Sequence, residues 1–544
     1  MSMDKSIFLI ILILLFLEAN ILASERTSIY NVSDHGATGD GKTLDTKAIQ
    51  EAIDQCAKEG GKVYLPSGIY LSGSLRLKSN VTIEISGGAT LLGSTNIKDY
   101  EENIAKIRSY NDSFLRHSLL YAEDVQNITI TGRGVIDGQG GAFEVTTKKK
   151  PDRYKNRPYI IRFINCKNVL VENIRMQNSA MWMQHYLACN GVVIRGIQVF
   201  NHCNKNNDMI DIDGCQDVVI SDCIGDSDDD ALTIKSTSEH ISENIAVTNC
   251  VLSSHCNAIK LGTESIGGFK NIVISNCVVK PSKKRSVIYG FPDGISGITL
   301  GLVDGGILDG IMINNIRIDG PKTPIFMRLG DRGRVVREDQ PRPVAGVFRN
   351  VSIENIIATG ADTLGCSILG LPDRLIENIS LSNIRIEYTG GAKNLPKGKI
   401  IPEMREIYPE TTRFGKLPAY GIFIRHVKNI NLNNIEMHYK KNEERSFIVC
   451  DDVQGVDLVN VRGEGSTAGN PLIHFINVRE ALISASRPLS HINTFLKVEQ
   501  DSDGISLIAN DLRNAKIAVE TDKELPGEGV KLKGNVTMEI QKGE

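Results

Sequence analysis

Asp217-Val218-Val219-Ile220-Ser221-Asp222-Cys223, Asn244-Ile245-Ala246-Val247-Thr248-Asn249-Cys250 and Asn271-Ile272-Val273-Ile274-Ser275-Asn276-Cys277 are one phrase written three times at a step of 27 residues. In each copy an Asn or Asp opens an apolar alternation and a second Asn or Asp closes it. Alternation at a period of two marks a half-buried strand. The phrase returns at 168–174, 350–356, 378–384 and 429–435. A fixed period in the twenties with no helix between the strands predicts a β-solenoid, in which each coil buries its inward face only against its neighbours. The recurring asparagines suit the bends, where left-handed backbone is tolerated and amides can stack into ladders. The fold expected is an all-β, right-handed parallel β-helix. A β-propeller is the alternative, but it needs blades of about 40–45 residues.

Composition agrees. The chain has 544 residues, which at about 100–200 residues per domain would suggest three or four domains. The repeat replaces most of those boundaries with coils. Lys and Arg number 62 against 65 Asp and Glu, a net charge of −3, so no nucleic-acid partner is expected, because such binding needs a cationic surplus. Hydrophobic residues at 41% and charged residues at 23% fit a folded globular chain. Fifty glycines and a single tryptophan favour many tight turns over a helical bundle. Eleven cysteines include no C-x-x-C pair, so a zinc site is not expected. The 27-residue step of Cys223, Cys250 and Cys277 reads as one buried ladder position rather than as disulfides.

The N-terminus carries Lys5, an apolar run from Ile7 to Leu17, and small residues at Ala23 and Ser24. This is the pattern of a signal peptide over 1–24, with an uncleaved anchor as the alternative. The run is shorter than the roughly 20 residues that cross a bilayer, so an exported protein, periplasmic or secreted, is expected without stable membrane insertion. Residues 46–58 have apolar positions at helical spacing and stop at Gly60-Gly61, as an N-terminal capping helix would. The β-helix catalytic domain is expected over 25–484, and degenerate coils with a cap over 485–544. Longer insertions at 99–122, 138–158, 329–344 and 390–418 should leave the coil as loops. The sequence sets no oligomeric state.

Acidic residues recur one coil apart. Asp208 and Asp211 follow Asn206-Asn207, and Asp228-Asp229-Asp230 lie about one coil later. Stacked coils are about 4.8 Å apart, so these carboxylates should converge. Such a patch suits glycoside hydrolysis, in which one carboxylic acid protonates the leaving oxygen and another activates water. Mutual repulsion raises at least one pKa. The alternatives are solvated turn acids or a calcium site, for which Asp211-Ile-Asp213-Gly214 lacks the full EF-hand pattern.

These residues resemble the polygalacturonase family, glycoside hydrolase family 28. The family's Asn-x-Asp motif and the Asp-Asp pair one coil later match Asn206-Asn207-Asp208 and Asp229-Asp230. The opening at 35–42, the stretch 60–68, Ser179-Ala-Met-Trp182, Tyr408-Pro-Glu and 417–421 are similar to pectin-active relatives, so the resemblance spans most of 30–480. It implies inversion at the anomeric carbon, with Asp229 as general acid and Asp208 and Asp230 serving the attacking water. It implies no metal or other cofactor.

Two positions depart from the family. Asn257 stands where the family has the histidine of Gly-His-Gly, with His255 two residues upstream. Thr299 and Gly301 stand where an Arg and a Lys would hold the sugar carboxylate. Substitute binding groups are Lys235, His255, Asn257, Lys260, Arg328 and Arg332, with Arg334 in the same stretch as the last two, Glu264 near the site by sequence and Arg425-His426 later in the chain. Arginine grips carboxylates with two parallel bonds, which suits it to the missing clamp. Trp182 is either a sugar platform or a packed wall. The expected partner is a pectic or related acidic glycan. The expected activity is hydrolysis of galacturonate-containing pectic chains, of polygalacturonase or rhamnogalacturonan-hydrolase type, and long loops at the cleft favour exo-action. A β-helix lyase using Lys235 or Lys260 and a non-catalytic glycan-binding solenoid are the alternatives.

Overall fold

Each copy of the phrase forms a strand that lies on the copy before it. Gln216–Ser221 pairs in parallel with Ser242–Thr248, which pairs with Gly268–Val279, in the register Val218–Ile245–Ile272. The row continues through Ile311, Val351, Ile379, Ile430 and Val456, all buried. Full burial of each such side chain stabilises by about 1.5–3 kcal/mol, so the stacked rows supply the core. Among the described residues, 38 strands join into one continuous sheet whose named strand pairings are all parallel, and the chain is a right-handed parallel β-helix. Propeller blades, which pair antiparallel, are ruled out.

The computed structural model describes residues 28–537 apart from 112–115, 148, 150–153, 397–398 and 522–528. The expected signal segment over 1–24 lies outside the described residues, as do 522–528 and 538–544 of the expected C-terminal cap. No helix among the described residues is long and apolar enough to cross a membrane.

The bends are built by the asparagines. Asp217, Asn244 and Asn271 have φ of 57°, 58° and 52°, in the left-handed region that Asn and Asp tolerate best. Their amides stack: Asn244 donates to Asp217 at 3.1 Å and Asn271 to Asn244 at 3.3 Å. A second ladder links Asn276, Asn315, Asn355, Asn383, Asn434 and Asn460. Cys223, Cys250 and Cys277 sit buried in one row, each with its thiol on the carbonyl two residues back, and all eleven cysteines are unpaired.

The helix Thr46–Glu59 closes the N-terminal end, burying Ile49, Ala52, Ile53 and Cys56, and stops at Gly60 with φ 79°. Beyond 485, Ile492–Glu499 lies on Ile473–Ser484 and Ala515–Thr521 on Ile492–Glu499, again in parallel. The insertions lie mostly between strands: 99–117 precedes Ser118–Glu123, so the expected 99–122 runs five residues into that strand, 138–158 precedes Tyr159–Ile164, 330–344 follows Thr323–Leu329 and 391–418 precedes Ala419–Lys441. All four adjoin the face made by Gln184–Leu187, Ile210–Asp213, Leu232–Ser236 and Asn257–Ser265. On that face Tyr186, Ile212, Ile234 and Leu261 pack into the core. The alternate row His185–Asp211–Thr233–Lys260–Thr299 therefore points away from the core, although its members are buried too.

Candidate active site

Parallel stacking brings the acidic motifs together. Asp208 ends the turn before Ile210–Asp213, and Asp228-Asp229-Asp230 end the turn before Leu232–Ser236, one coil on. The backbone N–H of Met209 donates to the Asp230 carbonyl at 3.0 Å, which sets the two turns side by side. Asn207 holds the first turn: its carbonyl oxygen accepts from the N–H groups of Cys203 and Asn204, and its amide donates to the Ser179 and Met181 carbonyls. Asn206, at φ 57°, reaches Asp229 at 3.5 Å. The hydroxyls of Ser227 and Ser254 fix the Asp229 carbonyl at 3.0 and 2.6 Å.

Together these turns floor a cavity of about 140 Å³ lined by Asp208, Asp229, Asp230, Lys235, Glu264, Asn206, Met181, Trp182, Tyr110, Asn111, Tyr154, Arg334 and Tyr408. Each of the four insertions supplies part of the wall: Tyr110 and Asn111, Tyr154, Arg334, and Tyr408. The nearly buried Trp182 has the Lys235 ammonium 4.6 Å from its ring centre, so it packs as a wall as well as facing the cavity.

The carboxylates divide electrostatically. Burial first, then the charge of Asp230, pushes Asp229 up to about 7 against Lys260 and Lys235. Burial and the charges of Asp211 and Asp229 push Asp208 well above the usual carboxylate range. Burial, opposed by Lys235, lifts Asp211 to about 8. Asp230 is held differently. It accepts from the Lys260 ammonium at 2.6 Å, the Asn257 amide at 2.6 Å and the Asn257 N–H at 3.2 Å. Asn257 cannot swing away, because its carbonyl oxygen accepts from Ser296 and Thr299. The site thus pairs a carboxyl that keeps its proton to about neutral pH with a neighbour whose oxygens face a cation and two N–H donors, an arrangement suited to general acid–base work.

The predicted binding residues separate into groups. Lys235 is nearly buried among Asp208 at 3.5 Å, Asp211 at 3.4 Å and Glu264 at 3.7 Å. Burial would lower its pKa, but those three charges hold it well above the usual lysine range. Lys260 also meets the Tyr408 hydroxyl at 3.2 Å. His255 is turned from the cavity, with Nδ1 2.8 Å from Asp228 and Nε2 2.7 Å from the Lys284 carbonyl. Arg328 donates to the carbonyls of Leu369, Gly370, Glu403 and Met404. Arg332 forks onto Asp304 and donates to the Thr263 carbonyl at 3.0 Å. Neither of those arginines lines the cavity. Arg425 pairs with Glu403 and Asp451, and His426 with Glu403 and Asp452.

Among the described residues, His202, Asp228 and His255 bring metal-ligand-type atoms within 4.8 Å of one another. Their contacts are those of a hydrogen-bonded brace. Asp228, which burial would raise, is held down to about 2 by His202, His255 and the N–H groups of Ile288 and Tyr289. The brace ties the 283–289 loop to the residue beside Asp229. Asp213 likewise accepts from Thr237 and His185. The wall residues Tyr110, Asn111 and Tyr154 had no sequence signal, because they come from insertions outside the repeat.

The family model for Glycosyl hydrolases family 28 matches residues 57–402. A probable polygalacturonase of Vitis vinifera is 27% identical over 382 residues, covering 68% of this chain and 77% of that protein. An exo-poly-alpha-D-galacturonosidase of Dickeya chrysanthemi is 31% identical over 238 residues, covering 41% of this chain but 35% of that protein. The crystal structure of a hyperthermoactive exopolygalacturonase from Thermotoga maritima superposes with a TM-score of 0.58 at 23% identity, over 76% of this chain and 92% of that one, and shares the fold. A match of that length, carried on this β-helix, makes the chain a member of glycosyl hydrolases family 28, and so a glycoside hydrolase.

Proposed function

We propose that the chain is an exported, inverting hydrolase that removes sugar from the end of galacturonate-containing pectic chains or oligosaccharides. The observation that carries this reading is the convergence of Asp208 with Asp229 and Asp230 in one cavity, with Asp229 raised to about 7 and Asp230 gripped by Lys260 and Asn257. Asp229 gives its proton to the glycosidic oxygen as the bond from the anomeric carbon breaks. Water attacks that carbon from the opposite face, and its proton passes to Asp230, with Asp208 orienting it. Residues 1–24 act as the export signal, 25–484 as the catalytic domain and 485–544 as the C-terminal coils and cap.

Exo-action is supported by the cavity, which at about 140 Å³ is smaller than the roughly 300–1,000 Å³ of most ligand pockets. That size suits the terminal unit of a chain better than a passing polymer. The exo-acting Dickeya relative, 31% identical over the shared region, points the same way.

The test is hydrolysis of a panel of pectic fragments followed by product analysis. Saturated mono- or disaccharides should appear from the first turnover. Failure to cut any pectic fragment would overturn the substrate, and an ultraviolet-absorbing unsaturated product would mean elimination instead. The pH profile is a second check. Asp229 acts protonated and titrates near 7, so activity should fall with rising pH above about 7, approaching tenfold per unit. A flat profile to pH 9 would remove Asp229 from the acid role.

A further inference from the structure

The family's Arg and Lys for the sugar carboxylate are absent here, at Thr299 and Gly301. We propose that Arg334 reads the carboxylate of the sugar held in the cavity, with Glu264 and Tyr110 fixing its guanidinium; this rests on the pectic reading above. The argument is one of remaining donors. Lys235 faces three carboxylates and is 4% exposed. Lys260 is spent on Asp230 and Tyr408, Arg332 on Asp304 and Thr263, and Arg328 on four carbonyls. Arg157 donates to the carbonyls of Ala180 and Lys205 and to Asn206.

Arg334 alone among the described cations both lines the cavity and keeps guanidinium donors uncommitted. Its Nη1 donates to Glu264 at 2.7 Å, and among the described residues Nε and Nη2 have no hydrogen-bond partner. Its Cζ lies 4.4 Å from the centre of the Tyr110 ring, which holds one face and leaves the edge donors available. Both supports are themselves anchored. The Tyr110 N–H donates to the Thr237 carbonyl at 2.8 Å, and the Arg334 N–H to Asp304 at 3.1 Å. Glu264 stays anionic: burial would raise it, but Lys235, Arg334 and Arg332 hold it far below the usual carboxylate range. A guanidinium stacked on one side and tethered at one nitrogen is preorganised for a second, incoming carboxylate.

The probes are galacturonic acid and galactose, which differ at the carboxylate, with binding measured by calorimetry on wild type, R334Q and R334K. Wild type should prefer galacturonic acid by about 10–150-fold, as charge-assisted bonds of about 1.5–3 kcal/mol give. R334Q should lose that preference while keeping its affinity for galactose, and R334K should retain part of it. In turnover, R334Q should raise KM on oligogalacturonides by more than it does on their methyl esters. If R334Q cuts pectic fragments with the acid preference intact, or weakens both sugars equally, this inference alone is overturned. If wild type distinguishes neither sugar and cuts no pectic fragment, the pectic reading falls with it.

Discussion

Asp229→Asn should lower kcat for reducing-sugar release by about 10²–10⁴-fold, the usual contribution of a positioned general acid. The substitution is nearly isosteric and removes only the ability to give up a proton at neutral pH. Its surroundings should hold: the Asp229 carbonyl keeps its bonds from Ser227 and Ser254, and an amide can still accept at the position where Asp229 receives the Asp230 N–H. Burial raises the Asp229 pKa because the charged form is disfavoured there, so a neutral amide should not destabilise the fold. The expected result is a protein with an unchanged melting temperature and unchanged sugar binding, but with its turnover lost. Full activity in this variant would dismiss the mechanism. Substrates with an already good leaving group, such as nitrophenyl glycosides, should be much less affected, because they need little protonation.

Lys260→Met should destabilise the protein by about 3–5 kcal/mol and also cripple turnover. Lys260 and Asp230 form a 2.6 Å pair with side chains 3% and 4% exposed. Removing one partner of such a pair leaves the other charge buried without compensation, which is the costly case. Asn257 continues to donate to Asp230, but amide donors replace only part of a lost ammonium. The double variant Lys260→Met/Asp230→Asn should recover most of the stability and none of the activity. Denaturant unfolding of the two single variants and the double variant, with activity read on each, separates the structural from the chemical part of the pair. If Lys260→Met alone is neutral in stability, the pair is more solvated than its geometry implies.

Much of this was legible in the residues. The 27-residue step, the apolar alternation and the asparagine bends are local and repeat coil after coil, so they predicted strands, stacking and ladders together. The acidic motifs were legible for the same reason: one coil of separation in sequence is one strand spacing in space. The four insertions showed as interruptions of the period. The family resemblance put Asn257 at the histidine position, and there its amide sits on Asp230.

The destinations of the charged side chains were not legible. His255 lies two residues from Asn257, yet it braces Asp228 and the Lys284 carbonyl. Arg328, Arg332 and Arg334 share one short stretch, but the first holds carbonyls, the second holds Asp304, and only the third faces the cavity. Their partners lie far along the chain. Tyr408 is 148 residues from Lys260, and Arg334 is 70 residues from Glu264. A coil's fold is set by backbone pairing and apolar burial that every repeat states for itself, so the sequence alone determined the β-helix and the place of its acids. Which cation meets which carboxylate depends on where long loops return across the face, and that depends on non-local contacts written in no single repeat. Only the tertiary structure decided it.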